Sequence, residues 1–244
     1  MISCPNLSNK QVAQQFQELV DVVGEVAAYD IWSQNEGNAI DRAPNGAPSK
    51  LFSDLLEHFN GDRVAAIQAK AKVFSKGFKT WFEGSKVVDE NGEPRLMYHG
   101  ASVEFNEFDE KMIGSRDAGY FGKGFYFTPD IEYANNYAKT NNITGTSGNV
   151  MAVFLNIRNP KYTDSNKANI DIDYTNNDGV LVTWGEDTLG LNETSVNPDE
   201  LFEVVVPTAN QIKSAVGNTG EFSTETPNIY AAQSASTPIP LTDS

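Results

Sequence analysis

A single carboxylate, Glu203, interrupts a segment that otherwise has the composition of a buried strand. The segment reads Leu-Phe-Glu-Val-Val-Val at residues 201–206. An ionised carboxylate removed from water is destabilising unless a hydrogen-bond donor or a positive charge compensates it. Such a position holds either a structural ion pair or a carboxylate that acts on a ligand. The residues alone leave both interpretations open.

Tyrosines in two neighbouring segments have a spacing suited to holding a flat ligand. Side chains alternate along the strand Gly-Lys-Gly-Phe-Tyr-Phe-Thr, so Gly124, Tyr126 and Thr128 share one face. A glycine beside the ring predicts room for a ligand there. The next segment predicts a helix with Thr128 as its N-cap, and Tyr133 and Tyr137 lie four residues apart on one face of it. The alternative is that these are core aromatics whose hydroxyls are satisfied within the protein.

The glycine-rich and histidine motifs exclude some classes of site. His99 and Gly100 end a predicted strand, where a histidine acts on a ligand or serves as a cap or core residue. The glycines at 122 and 124 precede a strand, whereas dinucleotide-binding and P-loop glycines follow a strand and open a helix. The pattern therefore excludes both of those nucleotide-binding folds.

Composition limits the partners and the compartment. The 244 residues carry a net charge of -15, which argues against binding of nucleic acid through bulk electrostatics. With Cys4 the only cysteine and His58 and His99 the only histidines, neither an intrachain disulfide nor a Cys/His zinc site is available. No apolar stretch is long enough to span a bilayer, and no secretory signal is visible. We expect residence in the cytoplasm of the producing cell, or export or injection by a route that uses no cleaved signal.

The elements that must position these residues predict an α+β fold. The first third has helical periodicity, with helices expected over residues 9–32, 49–59 and 64–82. The remainder alternates short strands with turns. Strands are expected over residues 95–99, 122–128, 150–157, 180–184 and 201–206. The predicted organisation is a helical region over 1–85, a core over 86–222 and a flexible tail over 223–244, which is rich in Ser, Thr, Ala and Pro.

The order and spacing of the motifs resemble one enzyme family. The chain has a His-Gly pair that begins at His99, followed by a Gly-x-Gly-φ-Tyr-Phe motif that contains Tyr126. A predicted helix with Tyr137 comes next, and Glu203 and Gln211 follow later in the chain. The tyrosines are eleven residues apart, and Gln211 follows Glu203 by eight residues. This arrangement resembles the H-Y-E class of ADP-ribosyltransferases, the diphtheria-toxin and poly(ADP-ribose) polymerase type.

Two further segments make the resemblance more specific. Val-Val-Asp-Glu-Asn-Gly-Glu-Pro precedes the histidine motif, and Gln-Ile-Lys-Ser-Ala-Val-Gly-Asn follows the glutamate. Both are similar to segments of the transferase domains in polyvalent proteins of phages and mobile elements. The similarity covers about residues 87–222. It implies an ADP-ribosyltransferase-like pair of antiparallel sheets around an NAD cleft, with the helical region preceding it.

The resemblance also implies a role for each motif. Gly100 would hold the nicotinamide carboxamide through its backbone, and His99 would hydrogen-bond the adenosine ribose. Tyr126 and Tyr137 would sandwich the nicotinamide ring. Glu203 would bind the 2′-hydroxyl of the nicotinamide ribose and stabilise the positive charge that develops as the glycosidic bond breaks.

The implied site contains two more residues and needs no metal. Thr128 shares the face of Tyr126 and is assigned to NAD⁺ binding. Arg116 lies in the loop over NAD⁺, residues 102–120, and is assigned to the pyrophosphate. The predicted catalytic residues are Glu203, Tyr126 and His99.

The implied activity is mono-ADP-ribosylation of a protein acceptor, with release of nicotinamide, in a bacterial or phage effector or toxin. Related enzymes that modify arginine often carry Glu or Gln two residues before the catalytic glutamate, where this chain has Leu201. Arginine is therefore not the expected acceptor. Three alternatives remain: an NAD⁺ glycohydrolase toxin, a non-catalytic module that binds NAD⁺ or ADP-ribose, and an acidic interaction protein.

Overall fold

A computed structural model describes residues 10–115, 119–140, 148–167, 172, 174–185, 197–220 and 222–230. Within them the helices are α1 (Lys10–Val23), α2 (Glu25–Gln34), α3 (Lys50–His58), α4 (Arg63–Ala71), α5 (Lys76–Phe82) and α6 (Ile131–Thr140). The strands are β1 (Met97–Ala101), β2 (Phe125–Phe127), β3 (Asn149–Leu155), β4 (Pro160–Asp164), β5 (Gly179–Thr183), β6 (Leu201–Val206) and β7 (Ile212–Ser214). The predicted α+β class is confirmed.

The helical third is divided more finely than its periodicity predicts. The helix expected over 9–32 is wrong as a single element, because Gly24 takes a φ of 84° between α1 and α2. Ser49 caps α3 as predicted, its Oγ accepting from the Phe52 N–H at 3.1 Å. The helix expected over 64–82 becomes α4, a 3₁₀ turn and α5, and the Ser75 side chain caps α5.

The strands form two sheets. The first has the order β1-β3-β7 and is antiparallel throughout. The second has the order β2-β6-β5-β4, in which β4 and β5 are parallel and the other pairs antiparallel. The sequence did not predict β4 or β7: β4 is largely polar, and β7 has only 3 residues.

Side-chain alternation on the first sheet separates two cores. Tyr98 on β1 and Ala152 and Phe154 on β3 face the helices and share a core with α1–α6. The opposite face, which includes Met97 and Val153, packs against the second sheet. The helices, the first sheet and the second sheet therefore form three successive layers. None of the helices in the described residues is long and apolar enough to cross a bilayer.

Part of the predicted flexible tail is packed onto the sheets. Ile229 is fully buried, and its carbonyl accepts from the Ser214 N–H of β7 at 2.8 Å. Its own N–H donates to the Asn106 carbonyl at 2.9 Å. Packed chain therefore extends beyond residue 223, where the tail was expected to begin, because one buried isoleucine anchors an otherwise polar segment. Residues 231–244 lie outside the described residues.

Candidate active site

One β-bridge connects the two sheets at the predicted site. The Tyr98 N–H donates to the Thr128 carbonyl at 2.8 Å, and the Thr128 N–H donates to the Tyr98 carbonyl at 3.0 Å. Apart from this bridge, β1 pairs with β3 in the first sheet, whereas β2 pairs with β6 in the second. The next antiparallel partners would be Gly100 and Tyr126, and within the described residues these two form no bridge. The bridged pairing of β1 with β2 thus ends here, with the histidine motif on one strand and the tyrosine motif on the other, and we call the position between Gly100 and Tyr126 the opening between the sheets.

The backbone of Gly100 faces this opening. Tyr98 directs its N–H and C=O away from β3 toward Thr128, and residues two apart in a strand point their backbone groups the same way. The position of Gly100 requires glycine for a different reason, which is the close approach of α6. A Cβ at Gly100 would lie 2.1 Å from the Ala134 carbonyl and 2.9 Å from the Ala138 nitrogen of α6. Glycine therefore allows α6 to cross directly over β1.

His99 lies on the opposite face of β1, and its ring is fixed at one nitrogen. The Nδ1 atom is 2.8 Å from the carbonyl oxygen of Tyr126. A carbonyl oxygen only accepts, so Nδ1 carries the proton, and in the neutral ring Nε2 is an acceptor. The rings of Phe105, Phe108 and Phe127 surround the imidazole, with centroids 6.2, 5.1 and 5.4 Å away. The half-buried histidine is therefore held in both orientation and tautomer.

The Tyr126 hydroxyl organises the loop that precedes β2. It donates to the Gly122 carbonyl at 2.6 Å and accepts from the Phe121 N–H at 3.0 Å. The expectation that Gly124 leaves room for a ligand is wrong. A Cβ there would lie 2.5 Å from Cγ1 of Val205 and 2.8 Å from the Val206 carbonyl. The space is occupied by β6, so Gly124 serves the pairing of β2 with β6.

Helix α6 brings aromatic residues toward β6. Its N-cap is Asp130 rather than the predicted Thr128, because Oδ1 of Asp130 accepts from the N–H groups of Glu132 and Tyr133 at 2.8 and 3.1 Å. The Tyr133 ring lies 5.4 Å from that of Tyr137 and 5.7 Å from that of Phe202 on β6. Tyr137 is 51% exposed, which leaves its ring available to a ligand.

Glu203 is buried at a β-bulge. Its exposure is 8%, and it pairs with Val182 of β5, whereas Thr183 pairs with Leu201. Phe202 is the additional residue, and bulges of this kind redirect side chains next to active sites. The register of β2 with β6, continued by one residue, brings Thr128 opposite Glu203.

Glu203 also affects α6 electrostatically. Burial raises the pKa of Tyr133 to about 12, and the neighbouring Tyr137 and the charge of Glu203 add to this shift. The carboxylate therefore lies close enough to α6 to act on Tyr133, next to Tyr137.

For two further predicted NAD⁺-binding residues, Thr128 and Arg116, the structure gives no contact that bears on NAD⁺. The Thr128 side chain is buried, and its Oγ1 accepts from the Asp130 N–H at 3.2 Å, which supports the turn from β2 into α6. Its contact with NAD⁺ stays a prediction. Arg116 lies outside the described residues. No group of three or more His, Cys, Asp or Glu side chains that could hold a metal ion occurs in the part of the chain that the structure describes.

Other residues at the site were not assigned a role from the sequence. Trp184, 58% exposed at the end of β5, packs on Phe202 with ring centroids 3.9 Å apart. The available signal was the tryptophan followed directly by Gly185. Gln211, part of the motif with Glu203, donates to the carbonyls of Asn156 and Asp178 at 3.0 and 2.7 Å. These two hydrogen bonds connect the residue after β3 with the residue before β5.

Comparison with known proteins points to the same class. A family model described as ADP-ribosyltransferase in polyvalent proteins matches residues 89–222, which is more than half of the chain. His99, Gly100, Tyr126, Tyr137 and Glu203 all lie within the matched residues. No curated protein matches the chain significantly.

Proposed function

The chain belongs to the family of ADP-ribosyltransferases of polyvalent proteins, and on that basis we propose that it transfers one ADP-ribose unit from NAD⁺ to a protein acceptor. The observation that supports this most strongly is the opening between the sheets. His99 and Gly100 border it from β1 and Tyr126 from β2, where the bridge between Tyr98 and Thr128 ends. On β6, Glu203 stands opposite Thr128 in the register of β2 with β6, and Tyr137 lies beside Tyr133 on α6.

The residues around the opening fit NAD⁺ as a substrate. The Gly100 N–H and C=O match the acceptor and donor of a carboxamide. Nε2 of His99 is an acceptor for a ribose hydroxyl when Nδ1 donates to Tyr126. The rings of Tyr126 and Tyr137 provide stacking surfaces for nicotinamide.

Glu203 carries the chemical step in this proposal. The bond from ribose C1′ to the nicotinamide nitrogen breaks, and nicotinamide leaves as a neutral molecule with the electron pair. Positive charge grows on the ribose, and a carboxylate that the β-bulge holds in place stabilises it. The acceptor nucleophile then bonds to C1′ and gives up its proton to solvent water, and Glu203 is the group suited to orient that nucleophile.

Leu201 supports an acceptor other than arginine. It occupies the position two residues before Glu203, and its side chain is 4% exposed within the core between the two sheets. A buried aliphatic side chain offers a guanidinium neither charge nor hydrogen bonds. We therefore propose that the acceptor is a different side chain.

The test is transfer from labelled NAD⁺. Purified protein is incubated with the label and with lysates of bacterial and eukaryotic cells, and nicotinamide release is measured in parallel. A labelled protein band is expected for the wild type, with Glu203→Gln slower by about 10²–10³ fold. Glu90→Gln, at an exposed turn residue, makes the same charge change and should behave as wild type.

The other outcomes separate the alternatives. Nicotinamide release without a labelled macromolecule would indicate an NAD⁺ glycohydrolase. Binding of NAD⁺ without release would indicate a binding module, and the absence of binding would leave an acidic interaction protein. Equal labelling by wild type and Glu203→Gln would show that Glu203 is not the catalytic carboxylate.

We propose a biological role as an effector or toxin, which the family's occurrence in polyvalent proteins supports. Induced expression of the wild type in bacteria should then arrest growth, and expression of Glu203→Gln at the same level should not. Equal growth in both cultures would argue against a bacterial target.

A further inference from the structure

Lys213 of β7 is a buried lysine that binds the C-terminal segment. Its side chain is 0% exposed, and Nζ donates to the carbonyls of Thr226 and Asn228 at 2.6 and 2.9 Å. Within the described residues it forms no ion pair, and burial lowers its pKa to about 8. A lysine held by carbonyls in this way is costly to bury. Its hydrogen bonds to the two carbonyls offset part of this cost, and they fix residues 226–228 on β7.

The fixed segment connects β7 to the loop that follows β1. Ile229 accepts from the Ser214 N–H of β7 at 2.8 Å and donates to the Asn106 carbonyl at 2.9 Å. Asn228 forms an isolated β-bridge with Glu107. Residues 226–229 therefore lie between Lys213 on one side and the loop on the other.

The same loop supports His99. Phe105 and Phe108 pack against each other with ring centroids 4.8 Å apart, and both contact the imidazole. Farther along, Oε1 of Glu110 accepts from the Ala209 N–H at 3.2 Å. A continuous set of contacts thus runs from Nζ of Lys213 through residues 226–229 and the loop to the His99 ring.

We propose that Lys213 is a positioning residue for NAD⁺ binding: by fixing residues 226–229 it holds Phe105 and Phe108 against His99. The proposal rests on the proposed function, since it assigns His99 to NAD⁺. It also makes the segment 222–230 a functional part of the site rather than a tail.

The decisive variant is Lys213→Met, which keeps an unbranched side chain only one atom shorter and removes the donors to Thr226 and Asn228. The dissociation constant for NAD⁺, measured by calorimetry, should rise about tenfold. The kcat of nicotinamide release at saturating NAD⁺ should stay within about twofold, because Glu203 is not displaced. Hydrogen exchange should increase together in residues 226–229 and 105–108.

Lys70→Met is the matched control. Lys70 is also 0% exposed, and its Nζ pairs with Glu93 at 2.8 Å in the helical region. The control should lower the melting temperature without changing the NAD⁺ affinity, which separates general destabilisation from positioning. Thr226→Val, which removes the Oγ1 acceptor of the Asn228 N–H, is a milder second variant if Lys213→Met does not fold. It should shift the affinity in the same direction by a smaller factor.

The outcomes are distinguishable. A wild type that binds no NAD⁺ would overturn the proposed function and this role with it. A wild type that binds, together with Lys213→Met or Thr226→Val of unchanged affinity, would overturn the positioning role alone. Increased exchange at 226–229 without any change at 105–108 would also overturn it.

Discussion

Nδ1 of His99 lies 2.8 Å from the carbonyl oxygen of Tyr126, and this contact spans the opening between the two sheets. It joins the histidine motif on β1 to the tyrosine motif on β2 beyond the point where their β-bridge ends. Because the carbonyl must accept, the contact also fixes which ring nitrogen faces a ligand as an acceptor. A single hydrogen bond thus aligns the two sides of the site.

The first prediction separates the two nitrogens of His99. In His99→Asn the side-chain amide can still donate to the Tyr126 carbonyl, but the acceptor at the position of Nε2 is lost. We expect NAD⁺ to bind about tenfold more weakly, as for one lost hydrogen bond, in a calorimetric titration. The free energy of unfolding should fall by about 1 kcal/mol, because the ring contacts with Phe105, Phe108 and Phe127 are lost as well. Wild-type affinity in this variant would contradict the assignment of His99 to the ribose.

The second prediction concerns the exposed ring of Tyr137. Tyr137→Ala removes a stacking surface and should weaken NAD⁺ binding by about tenfold, because aromatic stacking contributes about 1 kcal/mol beyond the area that it buries. The thermal midpoint should hardly change, since the ring is 51% exposed. Tyr137→Phe keeps the ring and serves as the control, with affinity near that of the wild type. If Tyr137→Phe were as weak as Tyr137→Ala, the hydroxyl rather than the ring would be the binding group.

The third prediction tests the crossing of α6 over β1. Gly100→Ala places a Cβ within 2.1 Å of the Ala134 carbonyl, and backbone cannot yield as a flexible side chain does. The free energy of unfolding should fall by about 3 kcal/mol or more in urea titration. Gly92→Ala is the comparison: its φ is 77° but no atom lies within 4 Å, so only about 1 kcal/mol of backbone strain is expected. Similar losses in the two variants would show that α6 can shift away from β1.

The fourth prediction is a pH dependence of stability at His58. Burial lowers the pKa of His58 below its ordinary value of 6.5, and the ring stacks on Tyr98 with centroids 6.1 Å apart. Below pH 6.5 the unfolded chain takes up a proton that the folded chain does not, so acidification from pH 7.5 to 5.5 removes stability.

His58→Phe isolates this contribution. The variant keeps an aromatic ring against Tyr98, and all other ionisable side chains are the same in both proteins, so their effects cancel in the difference. Urea titrations at the two pH values should show a larger loss for the wild type than for His58→Phe. Equal losses would mean that His58 takes up its proton as readily in the folded protein as in the unfolded chain.

Local features of the fold were predictable where one residue dominates the local energetics. Ser49 caps α3 as expected, because a serine before an apolar helix satisfies free backbone N–H groups. The same reasoning named Thr128 as the cap of α6. Thr128 and Asp130 are both suitable cap residues, two positions apart, and Asp130 provides the cap. Proximity along the sequence could not decide between them, because Thr128 is also held by its bridge to Tyr98.

Glycine roles were the hardest to predict. Gly124 was expected to leave space for a ligand, yet β6 fills that space. The need for a glycine was correct, but the neighbour that requires it comes from a strand about eighty residues later in the chain. Lys213 is a similar case: nothing in Ile-Lys-Ser indicates that the lysine is buried under residues 226–228.

The sequence by itself determined the family, because the order and spacing of the His-Gly, Tyr, Tyr and Glu motifs are properties of the chain, and these motifs supplied the candidate site residues. It also determined the α+β class, since periodicity is local. Only the tertiary structure decided that Gly100 lies under α6, that Glu203 stands at a bulge and that the segment at 226–229 reaches the loop around His99. These relationships depend on contacts between residues far apart in the chain, and strand pairing and packing, rather than local propensity, fix them.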